Sequence, residues 1–418
     1  MIGIYSFSVR VLDTLLSSIG SFNPKWEKLV KGREAAFLSL IQFKEENKNP
    51  VAWFHVASLG EYEQAKPVIQ ELKKFYPNWT VALTFFSPSG YENVVKKKQL
   101  HIDYISYLPF DTPDKAERFV ELLNPRMVIF VKYDLWPNFI FTIKKKKIPL
   151  FLISASFRDS QIYFQKYGGF FRKALKAFDH IFTQDQPSLK LLKSISFENA
   201  TLTGDTRFDN VKAISHKPRS FPLIEKFVSD QKVFVVGSAW EEDMKILIPF
   251  ISANPQYKYL IAPHDIEENI IHGWQSRIGI GSLKYSELEK KEIRGEGVLF
   301  IDNIGMLSSL YQYGKLAYVG GASGKGLHNI LEPLAFGIPV FFGKLKKRDK
   351  FPESKLSQTY GCGFEVQNLD EFQITLTELE KDYNYIKAQK GAEKMVEDHL
   401  GSAEKIVGHV RKLFSASC

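Results

Sequence analysis

The sequence predicts an α/β protein built from two doubly wound, Rossmann-like domains that face each other across a cleft. Three observations carry this expectation. Short, nearly continuous apolar runs alternate with longer amphipathic ones, as parallel strands buried on both faces alternate with crossover helices. The alternation breaks at residues 210–230, where Ser215, Pro218, Ser220 and Pro222 sit among charges, and then restarts. The chain has 418 residues, too many for one ordinary core, so two domains of roughly 200 residues each are the default.

The predicted strands of the first half are Val51–Val56, Val81–Phe85, Tyr104–Leu108, Met127–Val131, Leu150–Ile153 and His180–Thr183. Helical patterns such as Gln64–Phe75, Pro113–Leu123 and Gln186–Lys193 lie between them. The second half offers strands at Val233–Gly237, Tyr257–Ala262, Val298–Ile301, Leu316–Gly320 and Pro339–Phe342. A last helix from about Asp370 to Phe414 has mixed charge and is expected to pack back on the first domain. The resulting division is 1–33, 34–211 and 212–418, with ligands beyond the carboxyl ends of the strands.

Hydrophobic content of 44% and charged content of 25% are those of a globular protein. With 56 basic and 47 acidic residues the net charge is +9, which suits an anionic partner. Zinc-ligand spacing and nucleic-acid-binding signatures are both missing, so no nucleic acid is expected. The runs Lys144–Lys147 and Lys344–Lys347 with Arg348 read equally as solvated faces or as binding surfaces. Cys362 and Cys418 are too few for a disulfide framework, which points to a reducing compartment.

Residues 1–22 are crowded with Ile2, Ile4, Tyr5, Phe7, Val9, Val11, Leu12, Leu15, Leu16 and Ile19, and only Arg10 and Asp13 are charged. No basic start precedes the apolar run, which argues against a cleaved secretion signal. Lys25, Lys28, Lys31 and Arg33 follow. Three readings stand: a helix lying in the surface of an anionic membrane, a single-span anchor, or a helix packed on its own domain.

The densest motif is Gly320-Gly321-Ala322-Ser323-Gly324-Lys325-Gly326-Leu327-His328-Asn329-Ile330-Leu331-Glu332-Pro333. It reads as strand, glycine-rich turn and helix, where glycines admit a ligand to the backbone and free N–H groups favour an anion. Glu332 stands one turn past His328, on the same face of a helix, and would hold a ribose by its hydroxyls. Capping by Asn329 and Glu332 is the plain structural alternative. Ahead of it, Gly237, Ser238, Pro263 and His264 end two strands of the same edge. In the first half, Ser58-Leu59-Gly60-Glu61 ends the first core strand, so Glu61 is either a general base or a partner of a helix dipole. Asp134 ends another strand and suits the positioning of a sugar hydroxyl; of the residues after it, Trp136 equally suits the core, and Pro137 with Asn138 the start of a helix. Arg158 follows Ser154-Ala155-Ser156 and suits a phosphorylated acceptor. Thr203 to Asp209 reads as a hinge turn.

In their order and spacing these motifs resemble the family of 3-deoxy-D-manno-octulosonic acid (Kdo) transferases that act on the lipid A precursor. Those that carry the resemblance are Ser58-Leu59-Gly60-Glu61, Leu135-Trp136-Pro137-Asn138, Gly204-Asp205-Thr206-Arg207-Phe208-Asp209, Gly237-Ser238, Ala262-Pro263-His264 and Gly320-Gly321 with His328-Asn329 and Glu332-Pro333. The resemblance implies a GT-B glycosyltransferase with no metal or other cofactor, CMP-Kdo as donor and inversion at the anomeric carbon. It implies Glu61 as catalytic base, with Ser58, Gly60, Asp134 and Arg158 toward the acceptor. Gly237, Ser238, Pro263, His264, Gly320, Gly321, His328, Asn329 and Glu332 would line the donor nucleotide site. It also implies the lipid A precursor and the cytoplasmic face of an anionic inner membrane as partners. Lys132-Tyr133-Asp134 stands where the family has Glu-Thr-Glu, and Ser154-Ala155-Ser156 where it has Asn-Ala-Arg, so an altered lipid A precursor or an altered number of Kdo additions is expected, with the donor unchanged. A nucleotide-sugar epimerase of the same architecture and a non-catalytic membrane-surface binder are the alternatives.

Overall fold

Apolar runs that are branched or aromatic on both faces have no side to offer water, and all six residues of Val51–Val56 are buried. The computed structural model describes residues 2–19, 24–96, 98–324, 326–346 and 350–415. The side chains of Lys25 and Lys28, together with Lys325, Lys347, Arg348 and Cys418, lie outside this described set. The chain divides into two compact units, Met1–Asn210 with Gly401–Cys418, and Val211–Leu400.

The first unit holds β1 (Val51–Val56), β2 (Thr80–Phe85), β3 (Tyr104–Tyr107), β4 (Met127–Val131), β5 (Leu150–Ala155), β6 (His180–Thr183) and β7 (Ala200–Leu202). They pair in parallel in the order β3-β2-β1-β4-β5-β6-β7. The second unit holds β8 (Val233–Ala239), β9 (Lys258–Pro263), β10 (Ser282–Lys284), β11 (Val298–Phe300), β12 (Leu316–Val319), β13 (Val340–Gly343) and β14 (Gly363–Val366). Their order is β10-β11-β9-β8-β12-β13-β14, again all parallel. The strand order reverses between β1 and β4 in one sheet and between β8 and β12 in the other. At such a reversal the connections leave to opposite sides and open a crevice at the carboxyl ends.

The helices that matter below are α1 (Ile2–Ile19), α2 (Pro24–Glu46), α3 (Leu59–Phe75), α4 (Pro137–Lys145), α5 (Glu241–Ala253), α6 (Leu331–Leu334) and α7 (Ser402–Ser415). Each face of the first sheet has its own core. Trp53, Phe119, Phe130 and Phe139 lie in one. Phe54, Val68, Leu83 and Ile129 lie in the other, which α7 closes with Ile406, Val407 and Val410. Full burial of each such side chain is worth about 1.5–3 kcal/mol, so α7 is a structural part of the first unit.

Several expectations need correction. The predicted helix from Asp370 to Phe414 is three helices, Leu369–Leu379, Asp382–Glu397 and Ser402–Ser415, and Gly401 breaks the last two apart at φ +87°. β7, β10 and β14 fall outside the predicted strands, because they are short and partly polar. Arg33, grouped above with a basic surface, is buried between the rings of Phe86 and Phe110, at 4.6 and 4.3 Å from their centroids. Its Nε donates to Leu108 O (2.9 Å) and its Nη2 to Phe86 O (3.1 Å), while burial pulls its pKa down to about 10. In the lysine run, Lys144, Lys145 and Lys146 pair with Asp179, Glu117 and Glu121.

α1 packs on its own unit. Tyr5 Oη donates to Asp111 Oδ2 (2.8 Å), Ser6 Oγ to Asn138 Oδ1 (3.0 Å), and Lys115 pairs with Asp13 at 2.5 Å. Its other face leaves Ile4 72% and Phe7 68% exposed, with Val11, Leu12 and Leu15 beside them. Among the described residues no helix is long and apolar enough to cross a membrane.

Asp209 holds the start of α7. Its two carboxylate oxygens accept from Gly401 N (2.7 Å) and Ala403 N (2.8 Å), which satisfies amides that a helix start leaves unpaired. Asp209→Ala is expected to cost about 1–2 kcal/mol. The loss should appear as faster amide hydrogen exchange in α7 than in β1, and unchanged exchange in α7 would deny Asp209 this role.

Candidate active site

In the first unit the reversal of strand order brings the ends of β1 and β4 side by side, with Ala52 to His55 paired to Met127 to Phe130. The chain leaves β1 through Ala57 and enters α3 at Leu59, five residues earlier than the predicted helix. Ser58 is the N-cap, extended at φ −143°, and its Oγ accepts from Glu61 N at 3.4 Å. Glu61 folds back, and its Oε2 accepts from Ala57 N at 2.5 Å. Glu61 therefore lies in the first turn of a helix, not in a free turn. Its other oxygen has no hydrogen bond among the described residues. With 6% exposure, its pKa rises from the ordinary 4.5 to about 7. Burial is the main cause and nearby Asp134 adds to it, whereas the Ala57 amide and the Lys132 ammonium pull the other way. A carboxylate so placed can take a proton at neutral pH.

Asp134 is half-buried and makes no hydrogen bond among the described residues. Burial raises its pKa and Lys132 lowers it. Lys132 follows β4 at φ +66°, a strained conformation for a lysine, and the next two residues, Tyr133 and Asp134, interact electrostatically with Glu61. Arg158 is exposed, and its charge acts on Tyr133. Space above Gly60 is open, since an added Cβ would meet only Ser58 Oγ at 4.0 Å. Trp136 Nε1 donates to His55 Nε2 (2.9 Å), so that nitrogen carries no proton and His55 Nδ1 donates to Thr84 Oγ1 (2.9 Å). Pro137 and Asn138 begin α4, as the structural reading had it. Asp111 accepts from Asn138 N (3.0 Å) and Phe139 N (2.8 Å). Ser154 and Ser156 are tied to Thr206 (3.0 Å) and Asp185 (3.2 Å), so of residues 154–158 only Arg158 is exposed.

In the second unit the reversal joins β8 to β12, with Phe234 to Gly237 paired to Leu316 to Val319. Ser238 sits at φ +52° where β8 slips register against β9, and Trp240 caps α5. Asp243, buried in the first turn of α5, accepts from Trp240 N (3.0 Å), Gly321 N (2.9 Å) and the Tyr318 hydroxyl (3.0 Å). This one carboxylate fixes the glycine-rich turn to the helix start. At Gly320 an added Cβ would stand 2.4 Å from Ser238 O and 2.5 Å from Asp243 Oδ2, and Gly321 has φ +94°. Gly237 leaves room for the Tyr311 hydroxyl.

The glycine amides of that turn are not free. Gly320 N donates to Gly237 O, Gly324 N and Gly326 N to Gly321 O, and His328 N to Gly320 O. The glycines serve the close packing of the turn itself. Nor do His328 and Glu332 share a helix face, because α6 begins at Leu331. Asn329 caps the start of α6, accepting from Leu331 N (3.2 Å) and donating to Glu332 Oε1 (3.3 Å).

What the turn presents is a set of rings. His264, following buried Pro263, stacks on Trp240 at 4.0 Å, and His328 lies 4.8 Å from His264. Trp240 Nε1 donates to His328 Nε2 (3.1 Å), and burial with the neighbouring His264 lowers the His328 pKa to about 4. His328 is thus neutral at physiological pH. Trp240 was absent from the predicted site, although its position just after a strand ending in small residues was a usable signal. Among the described residues no group of three His, Cys, Asp or Glu side chains is arranged to hold a metal ion.

Solved structures with the same two-unit architecture include UDP-GlcNAc 2-epimerase from Neisseria meningitidis bound to UDP-GlcNAc. Its TM-score is 0.59 at 16% identity, over 87% of this chain and all of that one. The fold is the two-domain Rossmann-like GT-B fold. A family model described as 3-deoxy-D-manno-octulosonic-acid transferase (kdotransferase) matches residues 34–210. The 3-deoxy-D-manno-octulosonic acid transferase of Haemophilus influenzae is 27% identical over 343 residues, 79% of this chain and 77% of that protein. That of Aquifex aeolicus is 32% identical over 361 residues, 83% of this chain and 91% of that protein. With a relative of that identity matched over nine-tenths of its length, and Glu61 and the ring cluster standing where their strands reverse, the chain belongs to the Kdo transferase family.

Proposed function

We propose that the chain transfers Kdo from CMP-Kdo to a hydroxyl of a lipid A precursor, with inversion at the anomeric carbon. The observation that carries the reading is Glu61, a buried carboxylate with a pKa near 7 and one unpartnered oxygen at the reversal point of the first sheet. Glu61 takes the proton of the acceptor hydroxyl as that oxygen bonds to the anomeric carbon. The bond from that carbon to the phosphate oxygen breaks on the opposite face, and CMP leaves as a phosphate monoester. Asp134 and Arg158, with Ser58 and the open ground over Gly60, orient the acceptor. On the donor side Glu332, held by Asn329, takes the ribose hydroxyls, and the rings of Trp240, His264 and His328 flank the nucleotide. Ser238 and His264 meet the phosphate, a role the internally bonded glycine turn leaves to side chains. The exposed apolar face of α1 rests in the anionic cytoplasmic surface of the inner membrane, which brings a lipid acceptor to the first unit.

Glu61 works only when ionised, so kcat/KM for transfer should fall as pH drops below about 7. Glu61→Gln should abolish transfer and leave CMP binding intact. Because its folded pKa lies above the ordinary value of 4.5, Glu61 favours folding fully below that pH, and the benefit fades as pH rises through about 7. Glu61→Gln should accordingly be no less stable than the wild type at pH 8, measured by thermal unfolding. A surviving transfer rate would assign the base elsewhere.

Glu332→Ala should raise the KM for CMP-Kdo by roughly tenfold to a hundredfold, the worth of a charged hydrogen bond, with the acceptor KM little changed. Equal effects on both substrates would remove Glu332 from the donor site. Replacing Phe7 and Leu15 by glutamate should abolish co-sedimentation with anionic vesicles while CMP binding persists. Undiminished co-sedimentation would sink the proposed role of α1.

A further inference from the structure

The carboxyl-end edge of the first sheet carries Glu61, but a cavity of that unit opens at the opposite edge. Its volume is about 510 Å³, within the range of small-molecule sites. Its lining comes from the segments that lead into β4, β5 and β6, and from the last turn of α7. Phe151, fully buried in β5, is the floor; Ile148, Pro149, Leu413 and Phe414 make apolar walls.

The polar part of the lining is cationic. Arg126, Lys144 and Lys147 face a single acid, Asp179. Asp179 is already committed on both oxygens, one to Lys144 Nζ and the other to Leu150 N at 2.9 Å. The neighbouring acids Glu117 and Glu121 are taken by Lys145 and Lys146. Arg126 and Lys147 are exposed, and among the described residues neither has a carboxylate partner. Lys147 is set at φ +57°, with its amide bonded to Lys144 O at 3.0 Å. Two uncompensated cations therefore stand over an apolar chamber.

We propose that this cavity binds a small amphiphilic anion, with a phosphate or carboxylate head between Arg126 and Lys147 and an apolar body against Phe151, Ile148 and Phe414. An isolated anion would leave the apolar walls unused, and a neutral apolar molecule would leave both cations unpaired. The site is separate from the proposed acceptor site, since it sits at the amino ends of the strands. Its wall is not isolated, however. Phe414 meets Trp79 edge-on at 5.7 Å, and α7 packs along α3, the helix that begins with Glu61. A bound molecule would brace that pair of helices.

The test is calorimetric titration of the full chain with octyl phosphate, with inorganic phosphate and octanol as the head and body alone. Octyl phosphate should bind at one saturable site. Inorganic phosphate, octanol and the double variant Arg126→Ala, Lys147→Ala should each show affinity lower by roughly tenfold or more. Both side chains lack partners, so the variant should fold, and an unchanged unfolding temperature checks this. Undiminished binding of octyl phosphate by the variant would overturn the proposal, because it would put the molecule on α1 or another apolar surface. Binding that appears only when the chain ends at Ser415 would also overturn it, and would give the cavity to residues 416–418. Vesicles of phosphatidylglycerol identify the source. A loss of vesicle binding in the double variant would mark a lipid headgroup as the ligand, whereas a loss confined to octyl phosphate would mark a soluble anion.

Discussion

Both sheets are parallel throughout, and most of what is distinctive about this protein follows from that constraint. A parallel strand cannot return through a tight turn, so each connection must travel back along the sheet, in most cases through a helix. All carboxyl ends consequently collect at one edge of each sheet. At the reversal points, two neighbouring strands send their connections to opposite sides, and the chain must turn away sharply. Lys132 and Ser238 meet this demand at φ +66° and +52°, a conformation that costs a residue with a side chain of the order of 1–2 kcal/mol. Some of the backbone strain therefore falls on the edges where the proposed catalytic and donor-binding groups stand.

Two carboxylates of the first unit show that a displaced pKa does not by itself identify chemistry. Burial raises both Glu61 and Asp111 to about 7. Asp111 is surrounded by donors, from Tyr5, Asn138 and Phe139, and joins α1 to the start of α4. Nothing is left over to act on a substrate. Glu61 accepts from Ala57 N and, among the described residues, keeps its other oxygen unpaired and lies near Asp134, which has no hydrogen bond there. The distinction lies in spare hydrogen-bonding capacity, not in the size of the shift.

This explains what was legible in the residues and what was not. Strands such as β1, β4 and β6 have the bounds their apolar runs announce, since both faces are buried and the pattern is continuous. β7, β10 and β14 have three or four residues and mixed polarity, so they borrow their pairing from a sheet already formed. Glu61 was visible as a carboxylate at a strand end, but its environment depends on Lys132 and Asp134, which are remote in sequence. The glycine-rich turn was misread in its physics. Glycines at 320 and 321 look like a cradle for a ligand, whereas the space they leave is filled by Ser238 O, Asp243 and the Gly326 carbonyl. Trp240 stood outside the candidate residues, because a single aromatic at a helix start carries no chemistry by itself; the imidazoles stacked on it reveal its use.

The hydrogen bonds from Gly401 and Ala403 to Asp209 span 192 and 194 positions of the chain. Translation runs from the amino terminus, so the first unit cannot be completed when its own 210 residues have emerged from the ribosome. The whole second unit must be synthesised before α7 appears. At 5–20 residues per second this is a delay of roughly ten to forty seconds. During that interval the sheet face awaiting Ile406, Val407 and Val410 is open, a sticky surface on a nascent protein that chaperones or early assembly of the second unit must tolerate.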